Sequence, residues 1–323
     1  MRNLAPLAAL ALVLPFSREE VSAQAPQPPV FAVSTQSIYI DVTLERPSTG
    51  APRLAASDFH LFDNGAPQAF ELVPAADLPV RAILVFDTSR SMQGAKLDQL
   101  SRAALDFVSR LGPKDEASLL TFAAGFEWSG APQPDLARVQ ATLKQIHAEG
   151  ATSLYDALYA ALVLPGAGSR SLMVLFSDGD DTSSWLTDAK IRTVAERSNA
   201  LIHAVALPDR GLDFVAGPSL GARTGFGSIA VAGGPTVAVE GESAPYLRTL
   251  REVAESTGGS LVTVRSAQQI GRAFNSILDE VRARYVLRYD PVTTPAPGWH
   301  KLEVRLASGR KERLRVRSGY WVR

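Results

Sequence analysis

The sequence predicts an α/β fold in which a doubly wound, mostly parallel sheet is inserted between two β segments that form a small β-sandwich. Over residues 78–283, apolar strand patterns alternate with amphipathic helical patterns, which is typical of a parallel sheet covered by helices on both faces. The flanking segments, 26–77 and 284–323, show strand patterns and no helical pattern. Each flank is too short to hold a good core alone, so we expect the two to pair.

Composition narrows the classes of function. The chain has 323 residues, of which 46% are hydrophobic and 20% charged, enough apolar material for a packed core. The 33 Lys and Arg residues balance the 33 Asp and Glu residues, which argues against a chain-wide electrostatic grip on nucleic acid or anionic membrane. Cys is absent, which excludes disulfides, thiolate catalysis and Cys-based zinc sites. The four His residues are scattered along the sequence, which does not favour a His-rich metal site.

The N-terminus has the pattern of an export signal. Arg2 supplies the positive start, and residues 4–16 form an apolar run of the length of a signal core, too short to span a bilayer. Small residues near Ala25 offer a cleavage site, so we interpret residues 1–25 as a signal peptide. No other segment is long and apolar enough for a membrane helix, and we expect a secreted or periplasmic protein.

The two flanking segments read as strands. Ile38, Ile40, Val42 and Leu44 alternate with polar residues, as in a half-buried strand. Asn64-Gly65 stands between the apolar run 59–62 and the alternating Phe70 and Leu72, which indicates a β-hairpin. The C-terminal flank has strand patterns at 285–287, at 302–306, and from 314–316 to an end near Tyr320-Trp321.

The central region carries the alternating elements. A Gly-, Ala-, Ser- and Pro-rich stretch over residues 208–244 interrupts them, and we interpret it as an irregular insertion. Strands are predicted at 81–87, 118–123, 126–128, 172–176, 200–206 and 260–264, and helices at 97–111, 135–147, 153–164, 186–198, 245–257 and 267–283.

Oxygen-bearing side chains follow two of the buried strands. Asp87, Ser89 and Ser91 come directly after strand 81–87, and extended residues two apart face the same side. Carboxylate and hydroxyl oxygens suit Mg²⁺, Mn²⁺ or Ca²⁺. An ordinary Asp/Ser helix cap is the alternative. Asp178 follows strand 172–176, and ligands of such folds bind beyond the carboxyl ends of the strands.

In this order and context, the residues resemble the von Willebrand factor A family. Asp87-Thr88-Ser89-Arg90-Ser91 matches the family's Asp-x-Ser-x-Ser, Thr152 matches its threonine before a helix, and Asp178 matches its second aspartate. The resemblance covers about residues 78–283 and implies a Rossmann-like doubly wound sheet with a metal-ion-dependent adhesion site. The implied ligands, the five-residue site, are Asp87, Ser89, Ser91, Thr152 and Asp178.

The flanking segments resemble one particular group within this family. Residues 58–68, 284–289 and 319–321 are similar to stretches of a bacterial secreted group of von Willebrand factor A-related proteins. That group begins with a signal peptide, which agrees with the pattern of residues 1–25.

The resemblance implies a binding module rather than an enzyme. Two carboxylates balance the charge of a Mg²⁺ ion, and in the family an Asp or Glu of a protein partner supplies one more oxygen. A metal-dependent phosphatase or hydrolase is an alternative, but Ser89 stands where such enzymes place a second acid, and we expect no Lys or His nearby. A second alternative is a scaffold protein in which the metal site only stabilises the fold.

Neighbouring residues have candidate roles. Ser153 to Asp156 is interpreted as a helix-capping arrangement. Met92, Trp185 and Leu186 are candidates for flanking the metal and touching a partner, with core packing as the alternative for Trp185 and Leu186.

Overall fold

A computed structural model shows how these patterns fold. The predicted signal peptide lies outside the described residues, and so does the predicted insertion over 208–244, apart from its first and last residues. The structure describes residues 37–45, 53–164, 170–208, 244–291, 296–307 and 312–322.

The described part of the chain before the central region contains the strands β1 (Ile38–Leu44), β2 (Phe59–Asp63), β3 (Ala66–Gln68) and β4 (Glu71–Pro74). In β1, Ile40 and Val42 are buried, as the alternation predicts. Asn64 and Gly65 have φ angles of 48° and 82° and form the predicted tight turn between β2 and β3. The prediction that Phe70 and Leu72 form the second arm of this hairpin is wrong, because β4 pairs in a different sheet.

Among its described residues, the central region contains six strands and six α-helices, which mostly alternate. Its sheet has the order β10-β9-β8-β5-β6-β7, in which every neighbouring pair is parallel except β6 and β7. This confirms the predicted mostly parallel α/β sheet. The elements are β5 (Arg81–Asp87), α1 (Ala95–Ser109), β6 (Glu116–Phe122), β7 (Phe126–Trp128), α2 (Ala137–Leu143), α3 (Leu154–Val163), β8 (Ser171–Ser177), α4 (Asp188–Glu196), β9 (Ala200–Ala206), α5 (Pro245–Ser256), β10 (Leu261–Thr263) and α6 (Ile270–Ala283).

Helices cover both faces of this sheet. Leu84 and Phe86 of β5 point into a core formed with α1, α2 and α6, while Ile83 and Val85 point into a core formed with α3, α4 and α5. Each such buried side chain stabilises the fold by roughly 1.5–3 kcal/mol relative to exposure. Within the described ranges, no helix is long and apolar enough to cross a membrane.

Helix α2 is shorter than predicted and ends at Leu143. The loop after it is held against the end of β5: the Glu149 N–H donates to the carbonyl oxygen of Thr88 at 2.9 Å, and the Arg90 N–H donates to that of Gly150 at 3.1 Å. These bonds satisfy backbone groups of the loop that precedes α3.

The flanking segments form two four-stranded antiparallel sheets together. The last strands are β11 (Tyr285–Tyr289), β12 (Gly298–Leu306), β13 (Leu314–Val316) and β14 (Gly319–Val322). One sheet has the order β13-β1-β11-β4 and the other β14-β12-β2-β3, so each contains strands from both flanks. Side chains of both sheets, including Ile40, Leu61 and Leu287, share one core. The predicted β-sandwich between the two flanks is therefore confirmed.

The last predicted strand is in fact two strands in different sheets. The chain crosses between the sheets at Ser318 and Gly319. A Cβ atom at Gly319 would lie 2.3 Å from the carbonyl oxygen of His300, so only glycine allows the backbones to approach this closely.

A half-buried ion pair joins the sandwich to the parallel sheet. Asp41 of β1 accepts from Arg170, which precedes β8, at 2.7 Å and lies 2.6 Å from Nε of Arg284, which precedes β11. Burial raises the pKa of Asp41, and the Arg170 guanidinium acts in the opposite direction.

His203 is buried in the middle of β9. Its Nδ1 lies 3.0 Å from the Ser260 hydroxyl, and its Nε2 lies 3.7 Å from a carboxylate oxygen of Glu280, which itself pairs with Arg315. Burial, assisted by the Arg315 guanidinium, lowers the pKa of His203 from 6.5 to about 3. The ring is therefore neutral, and its contact with Glu280 is not an ion pair.

The buried, neutral His203 predicts a loss of stability in acid. Because its pKa is lower in the folded than in the unfolded chain, its contribution is complete above pH 6.5 and is lost as pH falls toward 3. Between pH 6.5 and pH 5 this loss amounts to about 2 kcal/mol. Urea unfolding at both pH values is expected to show a smaller loss for His203→Gln than for the unmodified chain. The exposed His147, replaced by Gln, is the control, and equal losses in all three proteins would contradict the account.

Candidate metal centre

Asp87 is buried at the carboxyl end of β5, with no solvent exposure. One carboxylate oxygen accepts the backbone N–H of Ser89 at 2.8 Å, and the other accepts the hydroxyl of Ser177, the last residue of β8, at 2.8 Å. Burial raises the pKa of Asp87, the hydrogen bonds from Ser89 and Ser177 lower it, and the nearby Asp178 raises it.

A chain of hydrogen bonds links the two serines to the second carboxylate. The Ser91 hydroxyl donates to Oδ1 of Asp178 at 2.7 Å. The hydroxyl oxygens of Ser89 and Ser91 are 3.0 Å apart, within hydrogen-bond distance. Ser89 and Asp178 are buried, whereas Ser91 is exposed, so the site meets solvent at Ser91.

Thr152 is positioned from a neighbouring loop. Its N–H donates to the Thr182 hydroxyl at 2.9 Å, and its carbonyl oxygen accepts from the N–H groups of Thr182 and Ser183. The bonds of Glu149 and Gly150 described above hold the preceding residues against the loop after β5. Among the contacts of the described residues, Thr152 is not part of the hydrogen-bonded chain that joins the other four residues of the site.

The structure adds a cation that the sequence interpretation missed. Nζ of Lys96 lies 2.5 Å from Oδ2 of Asp178. The expectation that no Lys stands near the site is therefore wrong. The sequence position of Lys96 could have indicated this contact. Lys96 is the second residue of α1, and helical side chains point back toward the N-terminus of their helix. In α1 this direction leads to the loop after β5.

The donors of the five-residue site fit a hard divalent cation. Two carboxylates and three hydroxyls are the oxygen ligands that Mg²⁺ and Ca²⁺ prefer. The formal charges of Asp87, Asp178 and Lys96 sum to minus one, and the site is largely buried. A bound cation would neutralise this buried negative charge. The part of the chain that the structure describes has no group of three or more His, Cys, Asp or Glu residues that could hold a metal. The predicted site is of another kind, since three of its five donors are hydroxyls.

The loop after β8 is fastened to the start of α3. The Asp156 carboxylate accepts the N–H groups of Trp185 and Leu186, each at 3.0 Å. The Ser184 hydroxyl accepts the N–H groups of Tyr155 and Asp156. The predicted capping role of Ser153 is wrong, because its hydroxyl donates to the carbonyl oxygen of Ala123.

This loop displays one large apolar side chain. Trp185 is 95% exposed, whereas Met92 is fully buried and Leu186 half-buried. Of the three candidates for partner contact, Trp185 is the one that stands in solvent. It lies in the same short loop as Thr182 and Ser183, which bond to Thr152.

Comparison with known proteins agrees with this architecture. Residues 82–180 match the sequence model of the von Willebrand factor type A domain, and all five residues of the site fall within the match. The first part of the central region, from β5 to the loop after β8, is therefore similar in sequence to a von Willebrand factor type A domain.

The domain has relatives in larger proteins. Inter-alpha-trypsin inhibitor heavy chain H4 of Sus scrofa is 28% identical over 127 residues, which cover 36% of this chain and 14% of that protein. The Homo sapiens protein is 29% identical over 119 residues, covering 32% and 13%. This chain therefore spans only a small part of the length of these curated relatives. A solved von Willebrand factor type A structure from Catenulispora acidiphila is 10% identical, with a TM-score of 0.47, and the match covers 88% of this chain and 74% of that one.

The fastening of the Trp185 loop can be tested. Asp156→Ala removes the acceptor of two backbone N–H groups and is expected to cost roughly 1–3 kcal/mol of local stability. Hydrogen exchange should then accelerate at the amides of residues 184–187. Asp180→Ala, at an exposed acid close by, is the matched control. Unchanged protection in Asp156→Ala would show that the carboxylate does not hold the loop.

Proposed function

We propose that this chain is a secreted or periplasmic binding module whose five-residue site holds a divalent cation and, through it, an acidic residue of a protein partner. The observation that carries the proposal is the pair of buried carboxylates, Asp87 and Asp178, joined through two serine hydroxyls that reach solvent at Ser91. The location rests on the signal-like pattern of residues 1–25.

Charge explains why such a site would recruit an acid. Ser89, Ser91 and Thr152 would be neutral ligands, and Asp87 and Asp178 would bind directly or through water. Mg²⁺ is the first candidate, with Mn²⁺ or Ca²⁺ as alternatives. Two carboxylates match the ion's charge without exceeding it. The bound ion would supply an electrophilic centre for one further carboxylate oxygen.

The contacts of Asp87 favour binding over catalysis. A phosphatase of the type considered above needs an accessible carboxylate as nucleophile and a second acid two residues later. Asp87 is fully buried, both its oxygens are engaged, and Ser89 occupies the later position. The nearby Lys96 favours the phosphatase, and an assay with p-nitrophenyl phosphate and Mg²⁺ separates the two functions.

The exposure of Trp185 favours recruitment of a partner over a purely structural cation. A large apolar side chain in solvent gains nothing for the fold, yet the backbone beneath it is held by Asp156. Tryptophan residues are enriched among the residues that dominate binding energy at interfaces. Trp185 is therefore suited to contact the partner beside the cation.

Cation binding is the first expectation to test. Isothermal titration with Mg²⁺, Mn²⁺ and Ca²⁺ should show a single site in the unmodified chain and none in Asp87→Ala. The control is Glu196→Ala, which removes one exposed acidic residue of α4 and leaves the five-residue site unchanged. Pulldown of partners in Mg²⁺ against EDTA then tests recruitment. Full partner capture in EDTA, or by Asp87→Ala, would contradict the proposal.

Trp185→Ala should weaken capture of the partner without changing cation affinity. Removal of an interface residue of this kind typically costs at least about 2 kcal/mol, which is roughly a thirtyfold loss of affinity. Trp321→Ala provides a tryptophan control, since Trp321 is 39% exposed on the β-sandwich. Equal affinities for all three proteins would remove Trp185 from the interface.

A further inference from the structure

The two carboxylates of the five-residue site are satisfied in different ways. Asp87 accepts from two neutral donors, the N–H of Ser89 and the hydroxyl of Ser177. Asp178 accepts the Ser91 hydroxyl on Oδ1 and the Lys96 ammonium on Oδ2. A positive charge is thus already in contact with one of the two predicted acidic ligands.

The two partners of this ion pair differ in their freedom to move. The Asp178 side chain is completely buried and follows directly after β8, whereas 27% of the Lys96 side chain is exposed. Lysine carries its charge on a flexible four-carbon stem and is readily hydrated. Of the two partners, Lys96 is therefore the one that can withdraw from the contact, while Asp178 stays in place.

We propose that Lys96 is an internal counter-ion that competes with the divalent cation for Asp178 and so sets the cation affinity of the site. This inference rests on the proposed function, because it concerns the same cation. An ammonium and a divalent cation beside the same carboxylate would repel each other, so a cation bound at Asp178 would require Lys96 to withdraw. The ammonium stabilises the buried acid when the cation is absent and opposes the cation when it arrives.

The competition has consequences for the use of the site. A domain with an internal counter-ion stays folded at low cation concentration, and its site fills only where the cation is abundant enough to displace the ammonium. Once displaced, Lys96 stands at the rim of a site that receives an acidic partner residue.

Lys96→Met tests this directly, since it keeps the length of the side chain and removes its charge. Mg²⁺ affinity, measured by titration at fixed pH and ionic strength, is expected to rise on the order of tenfold. The melting temperature in EDTA should fall, because Asp178 loses its counter-ion. In saturating Mg²⁺ the melting temperature should equal or exceed that of the unmodified chain.

Two further variants complete the experiment. Lys96→Arg retains the charge and should keep the low cation affinity, which separates charge from shape. Lys190→Met replaces an exposed lysine in the first turn of α4 and should change neither property. If Lys96→Met is poorly folded in EDTA, its recovery with Mg²⁺ is compared with that of Lys96→Arg.

The outcomes separate this inference from the proposed function. Unchanged or weaker Mg²⁺ affinity in Lys96→Met, with normal binding by the unmodified chain, overturns the competition and leaves the cation site in place. The competition is also overturned if Lys96→Met lowers the melting temperature, relative to the unmodified chain, by the same amount in EDTA and in Mg²⁺. If Lys96→Met binds the cation and the unmodified chain does not, the result supports the competition. If neither protein binds Mg²⁺, Mn²⁺ or Ca²⁺, both the competition and the proposed function fail.

Discussion

Burial of two carboxylates at one edge of the parallel sheet is the constraint on which the site depends. Asp87 ends β5, Asp178 directly follows the neighbouring strand β8, and both are shielded from solvent. Buried acids need hydrogen-bond donors. Ser89, Ser91 and Ser177 supply neutral donors, and Lys96 supplies a charged one. The helices on both faces keep the strands in register, and with them the separation of the two acids.

The sandwich imposes a second constraint, because neither flank forms a sheet without the other. β1 is paired on one side by β11 and on the other by β13, both from the C-terminal flank. In the second sheet, Asp63 at the end of β2 accepts from the buried hydroxyls of Tyr289 and Tyr320. The parallel sheet is thus inserted between two chain segments whose strands pair with each other, and the ion pair of Asp41 and Arg170 connects the two parts.

The sequence was informative wherever a periodic pattern coincided with burial. The strands of the parallel sheet were predicted within a few residues, since each is a continuous apolar run, and the positions of Asp87, Ser89, Ser91 and Asp178 follow from where β5 and β8 end. Thr152 was found by resemblance to a family, not by periodicity, because a loop threonine has no pattern of its own.

Other features depended on long-range contacts that local patterns do not encode. The loop after α2 is held by backbone bonds to Thr88 and Arg90, which are distant in sequence. The division of the last predicted strand depends on the close approach of Gly319 to His300. The contact of Lys96 with the site depends on its position in the first turn of α1. The exposure of Trp185 depends on the anchoring of its loop by Asp156.

The central claim is that the five-residue site holds a divalent cation in exchange for the Lys96 ammonium. The most direct test is a crystal structure grown in MnCl₂, with anomalous differences measured at the manganese edge. The account predicts one anomalous peak in contact with the five-residue site, and Lys96 turned away from Asp178. Absence of a peak at this site, or a peak there with Lys96 still bound to Asp178, would contradict it.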